Sequence, residues 1–219
     1  MTLTRRGAAT RHRIIEGAAA EIRRHGVFSV TLDDVLASTT TSKGQLFHYF
    51  PGGKEELFLA VARHEAAKVL SDQQPELGAL TSWTAWRHWR DKVVARYREQ
   101  GQNCPLSVAV SQVGHATPGA QAVATELLER WQAEIAAGIR HMQGIGETDR
   151  GLDADRAAAA LLAGIQGGVL ILLSTGSLRH LEAALDQGIA HLRGRPSRGE
   201  GGPGGVEGVP GLLDPGDQA

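Results

Sequence analysis

The chain has 219 residues, 42% apolar and 21% charged, with a net charge of −1 at pH 7, which describes an ordinary globular protein with room for one sizeable core or two small domains. One cysteine, Cys104, excludes an intramolecular disulfide framework and fits a reducing cytoplasm, and the basic first residues lack the apolar stretch of a secretory signal. The charge is uneven: eight basic and four acidic residues through Lys54 give +4, so the remainder carries −5, a distribution that suits an anionic partner for the front end alone.

Nearly every periodic segment reads as helix. Ile14, Ile15, Ala18, Ala19 and Ile22 fall at helical spacing behind Thr10, the expected N-cap, and the run stops at Gly26. Thr31 and Asp34 have the spacing of a capping box, with Asp in place of Glu or Gln, opening a short helix to about Ala37. A second short helix is expected from about Ser42 to Tyr49. Pro51-Gly52-Gly53 breaks the chain, and Lys54-Glu55-Glu56-Leu57 starts a longer helix to about Ser71. Ser82 to Gln100 is helical, with Trp83, Trp86, Trp89 and Val93 along one side. A short helix near Leu106 to Val113 follows, and Thr117-Pro118 opens a long one to about Met142. After a loop from Gly144 to Gly151, Asp153 to Leu173 is a nearly all-apolar helix, which implies burial on most sides. Its apolar run is short for a bilayer span, so no membrane is expected. Ser177 opens a last helix with Leu178, Leu181, Leu185, Ile189 and Leu192 on one stripe. From Gly194 onward the Gly/Pro-rich composition has little to bury and reads as a disordered tail. The expected fold is all-α: a helix-turn-helix unit over 1–53, a helical body over 54–193 and the tail over 194–219.

Two short helices joined by Ser38 to Thr41, with a longer helix in front, form a helix-turn-helix, a geometry that lays the second short helix in the DNA major groove. The residue types suit that task. Ser42, Lys43 and Gln45 stand at the helix start, where side-chain donors and free N–H groups meet phosphate or bases. Gly44 lacks a Cβ and permits close backbone approach. Leu46 and Phe50 face inward, while His48 and Tyr49 reach toward the DNA backbone. The same pattern also fits a helical hairpin that merely packs its aromatics.

The run from Thr31-Leu32-Asp33-Asp34-Val35 through Ser42-Lys43-Gly44-Gln45-Leu46-Phe47-His48-Tyr49-Phe50, followed by Lys54-Glu55-Glu56-Leu57, resembles the N-terminal domain of TetR/AcrR-type transcriptional regulators. The resemblance covers roughly residues 10 to 58. Phe50-Pro51-Gly52-Gly53-Lys54, with Asn103-Cys104-Pro105-Leu106 and the Trp131 region, looks like a subgroup of that family. The resemblance implies that Thr31 caps its helix and touches phosphate, and that Thr41, Ser42, Lys43, Gly44, Gln45, Phe47 and His48 belong to the DNA face. Gln45 would read a base, since its amide can pair bidentately with adenine. Tyr49 and Lys54 would bind phosphate. Two departures stand out. Thr39-Thr40-Thr41 replaces the usual Ala-Gly-Val turn, putting β-branched Thr40 where a glycine commonly takes positive φ and the hydroxyl of Thr41 where Val is a plug. Phe47 stands where Tyr is common, so one phosphate bond is lost. A ligand-binding or adaptor protein without DNA binding is the alternative that these departures support.

One such module reads too few bases for specificity, so a homodimer on a palindromic double-stranded operator is expected. Leu162, Ile165 and Leu170, with Leu178, Leu181, Leu185 and Ile189, are its candidate interface, as a four-helix bundle across a two-fold axis; the same residues also suit a monomer core. Glycines 164, 167 and 168 would permit close approach. The family resemblance further implies a small-molecule effector held between about 60 and 175. Trp83, Trp86 and Trp131 are suited to stacking on a flat apolar ligand, and Cys104, Gln112, His115 and Gln166 to orienting it, though each also fits plain core packing. No catalytic residue, cofactor or metal is expected: His64-Glu65 begins like a zinc-protease helix, but Lys68 stands where the second histidine would be.

Overall fold

The computed structural model describes residues 4–101 and 118–194, and within them every regular element is helical. The helices are α1 (Arg5–His25), α2 (Leu32–Thr39), α3 (Lys43–Tyr49), α4 (Gly53–Ser71), α5 (Trp83–Gln100), α6 (Pro118–Gly144), α7 (Ala154–Thr175) and α8 (Arg179–Leu192), with a 3-10 turn at Leu77–Ala79. The all-α expectation holds. The helix expected near 106–113, the Thr117 cap, Cys104, Gln112, His115 and the segment after Gly194 lie outside the described residues.

Local capping chemistry sets most boundaries. Thr31 and Asp34 close a reciprocal box, with Asp34 N–H donating to Thr31 Oγ1 at 3.2 Å and Thr31 N–H to Asp34 Oδ2 at 2.8 Å. Ser82 caps α5 by accepting from Ala85 N–H at 3.2 Å, and Asp153 caps α7 by accepting from Asp155 and Arg156. α1 departs from expectation: its cap is Thr4, which accepts from Gly7 N–H, while Thr10 sits inside the helix and donates to the Arg6 carbonyl. The added residues 5–10 carry Arg5 and Arg6 and no apolar stripe, so hydrophobic periodicity gives no sign of them.

Two apolar clusters fill the chain. The first joins Ile14, Ala18 and Ile22 of α1 to Val35 of α2, Leu46 and Phe50, and Leu57 and Val61 of α4. The second joins Val69 and Leu70 of α4 to Trp86, Trp89 and Val93, Trp131, Ile135 and Ile139, and the inner faces of α7 and α8. Each large side chain buried in them contributes about 2 kcal/mol. The division falls inside α4, between Ala62 and Ala66, and inside α6, whose Ala120 joins the first cluster and Leu127 the second, so both helices belong to both cores.

α7 packs most extensively on α8 and then on α6. Leu162, Ile165, Leu181, Leu185 and Ile189, assigned above to a dimer surface, are buried in the chain's own core, and Leu178 is partly buried against it. Gly168 serves the same intrachain contact, since a Cβ there would stand 2.5 Å from the Leu181 Cα. Of the assigned residues Leu170 alone faces outward, 61% exposed. By length and composition α7 matches a membrane span, yet Leu161, Ile165, Val169 and Leu172 lie in the chain's core.

Candidate nucleic-acid interface

The turn between α2 and α3 is built by its three threonines. Thr39 is buried, and its methyl fills the space above Gly17 of α1, where a Cβ would approach the Thr39 Cγ2 to 2.1 Å. Its hydroxyl donates to the Val35 carbonyl at 2.6 Å and lies 2.9 Å from Thr41 Oγ1. Thr40 takes φ 51° and ψ 43°, the sole non-glycine residue at positive φ among the described residues. The turn thus keeps the left-handed geometry a glycine would supply, at a steric cost of about 1–2 kcal/mol for a residue with a Cβ. The family resemblance puts Thr41 on the DNA face. The structure corrects this: it is 6% exposed, and its hydroxyl donates to the Thr39 carbonyl at 3.2 Å. It is the plug of the turn, with its polar atom satisfied as burial requires.

From that turn α3 is set on the protein by two buried anchors, Leu46 and Phe50, both 0% exposed. Ser42 is its N-cap and forms a second capping box with Gln45: Gln45 N–H donates to Ser42 Oγ at 3.2 Å, and Ser42 N–H to Gln45 Oε1 at 3.3 Å. The amide expected to read a base is therefore turned back on its own helix start, its oxygen engaged in a long, exposed bond. Ser42, Lys43, Gly44, Gln45, Phe47 and His48 form a continuous exposed face. Tyr49 is half-buried, its ring edge-on to His48 at 4.9 Å. Phe47 is 40% exposed. Lys54 stands exposed at the start of α4, with its ammonium 5.1 Å over the Phe58 ring, and the Arg11 guanidinium lies 5.1 Å over Phe50. Thr31 is exposed and its hydroxyl donates to Asp34 Oδ2 at 2.6 Å. That bond, with the backbone bond from Thr31, holds the Asp34 carboxyl below the usual carboxylate range.

Sequence patterning missed the link behind this face. Arg23 near the end of α1 donates to Glu65 of α4 at 2.9 Å, and Glu65 is 1% exposed. Beside it His64 meets His12 of α1 edge-on at 5.2 Å, and burial pushes the His64 imidazole below its ordinary value. Pairs forty or more residues apart leave no periodic signal.

In the body, Trp86 and Trp131 are fully buried, Trp83 is half-exposed with its Nε1 donating to Glu147 at 2.9 Å, and Gln166 lies on α7. No group of three or more His, Cys, Asp or Glu suited to a metal occurs among the described residues.

Comparison with known proteins gives two family matches: "Bacterial regulatory proteins, tetR family" over residues 14–61 and "Tetracyclin repressor-like, C-terminal domain" over residues 82–187. An uncharacterized HTH-type transcriptional regulator from Lactococcus lactis subsp. lactis is 25% identical over 187 residues, covering 81% of this chain and 90% of the relative. The HTH-type transcriptional repressor AcnR of Corynebacterium efficiens is 42% identical over 60 residues, 27% of this chain and 31% of that protein's length. Among solved structures, a transcriptional regulator from Saccharomonospora viridis in complex with choline superposes with a TM-score of 0.70 at 26% identity, covering 84% of this chain and 97% of that one.

Proposed function

Since the chain belongs to the TetR family and is a transcriptional regulator of that kind, we propose that it is a ligand-responsive repressor which binds a palindromic operator as a homodimer. The observation that carries this reading is the α3 face. Of the seven positions from Ser42 to His48 all but Leu46 are exposed, and all of these but Phe47 present polar or small groups, on a helix held by a capping box and two fully buried anchors. Such preorganisation suits docking in a major groove. In this reading Lys43, Tyr49, Lys54 and the Thr31 hydroxyl hold phosphates. Gln45 exchanges its exposed cap bond for a base edge, with Ser42 and His48 beside it and Gly44 admitting the DNA backbone. The Phe50-Pro51-Gly52-Gly53-Lys54 run supports assigning the chain, within this reading, to a subgroup of the family.

The outer face of α7, with Leu170 and Gly167, supplies the partner surface, and α7 is a core and dimer helix of a cytoplasmic protein rather than a membrane span. The effector site in this reading is the C-terminal core near Trp86, Trp131 and Gln166; that the S. viridis relative was solved in complex with choline supports a small-molecule ligand for this fold without locating it. A ligand that prefers the α4 position in which the two α3 helices are wrongly spaced for the operator shifts the population off DNA. A hundredfold preference is worth about 2.7 kcal/mol. Selection of bound duplexes from a random-sequence pool tests the reading: it predicts enrichment of a two-fold symmetric site, and a pool that stays unenriched contradicts it.

A further inference from the structure

Three buried nitrogens of the C-terminal core have no hydrogen-bond partner among the described residues: Trp86 Nε1, Trp131 Nε1 and Gln166 Nε2. All three are donors, and a buried donor without an acceptor is a recurring cost that native cores avoid. The neighbouring indole shows the ordinary solution, with Trp89 Nε1 donating to Gln73 Oε1 at 3.0 Å.

Helix register brings the residues that carry these donors to the same stretch of the α6 and α7 seam. Trp86 Cζ2, next to the ring carbon that bears the nitrogen, lies 3.1 Å from where a Cβ of Gly138 would stand, so the N–H edge of Trp86 lies along α6. Trp131 precedes Gly138 by two helical turns and shares its face, about 10 Å along the axis. α6 and α7 run antiparallel, with Arg140 bonded to Asp155 and Gln143 to Leu152. Continuing that register brings Gln166 to within a turn of the level of Trp131. No buried carboxylate accompanies them: among the described residues the buried acids are Glu21 and Glu65, each paired with an arginine at the α1 and α4 junction. Outside that seam, a groove of about 310 Å³ between α4 and α6 carries Arg63 and Arg130 over Ala66, Leu70 and Leu127, with Glu126 its one acidic residue. Leu127 is the residue one turn before Trp131.

We propose that the effector is a flat apolar molecule carrying oxygen acceptors (carbonyl, phenolate or carboxylate) that receive the Trp131 and Gln166 donors at one end and the Trp86 donor at the other. This rests on the reading of the chain as a small-molecule-responsive regulator. A quaternary ammonium of the same size would leave all three donors unpaired and has no carboxylate to meet it. An acceptor matched to buried donors is discriminated from an isostere lacking it far more strongly than one methylene from none.

Calorimetric titration of the full chain with three probes of one outline tests this: 2-acetylnaphthalene, 2-ethylnaphthalene and trimethyl(2-naphthyl)ammonium. The acetyl probe is expected to bind at least about tenfold more tightly than the ethyl one, the size of a hydrogen bond to a buried donor. Trp131→Phe and the near-isosteric Gln166→Leu should bring the two within about threefold without changing the ethyl probe. Should Trp131→Phe fail to fold, Gln166→Leu still decides. Equal binding of acetyl and ethyl probes, tightest binding of the ammonium, or binding of none overturns the assignment. Operator affinity measured separately keeps the two readings apart. Acetyl-selective binding that leaves DNA affinity unchanged upholds the donor assignment and removes the regulatory reading. DNA binding with no probe bound does the reverse.

Discussion

Thr40 carries the clearest single-residue consequence. The turn needs a left-handed residue so that Thr41 N–H can reach the Leu36 carbonyl at 3.1 Å and α3 can start at the right angle. A β-branched residue supplies that conformation here only because Thr39 and Thr41 fix the positions on either side. Thr40→Gly should therefore raise stability by about 1 kcal/mol, read as a higher urea midpoint, with DNA affinity unchanged. A lower midpoint would show that Thr40 makes a compensating contact. This residue was legible in the sequence, because a threonine stood where a glycine-containing turn was expected. Gln45 was legible as a polar helix-start residue but not as a cap, since the position proposed for reading a base is also the one that pairs with Ser42. Which buried indoles lack an acceptor was not legible, because Trp89 is satisfied by Gln73 from a different element.

Among the elements, α4 matters most, since it is shared by both cores and tied to α1 by Arg23, Glu65, His12 and His64. Arg23→Ala strips the buried Glu65 carboxylate of its arginine, leaving only His64 at 3.9 Å beside it, so it should cost about 3 kcal/mol in chemical unfolding. His64 adds a pH dependence. Burial disfavours its charged form in the fold, with Glu65 opposing and His12 reinforcing the shift. Its contribution is therefore fully present above about pH 6.5, the ordinary histidine value, and is lost as pH falls toward the lower folded value. The melting temperature should drop between pH 7 and pH 5.5, and His64→Gln should flatten that drop; an unchanged slope would locate the titrating group elsewhere. Helix existence was readable from caps and periodicity throughout the described residues. The exception is the start of α1, where solvent-facing arginines carry no apolar repeat.

For the whole molecule, the sequence identifies α7 and α8 as apolar but does not say which side belongs to the chain's own core, because α7 is apolar nearly all round. Packing assigns the inner stripe to the protomer and leaves Leu170 as the exposed remainder. If that face is the homodimer contact, Leu170→Glu should convert the protein to monomers in sedimentation equilibrium and abolish operator binding while its helical circular dichroism persists. A dimer that survives the substitution would place the interface elsewhere. DNA recognition by α3 is the central claim, and a salt titration on the DNA upstream of the chain's own gene tests it most directly. Fluorescence anisotropy should show affinity at least about a hundredfold above a scrambled duplex of equal length. Log K should fall against log salt with a slope near −4, from two phosphate-binding lysines per protomer, and Lys43→Ala should reduce that magnitude by about 2. Equal affinity for the scrambled duplex, with the same slope in Lys43→Ala, would contradict it.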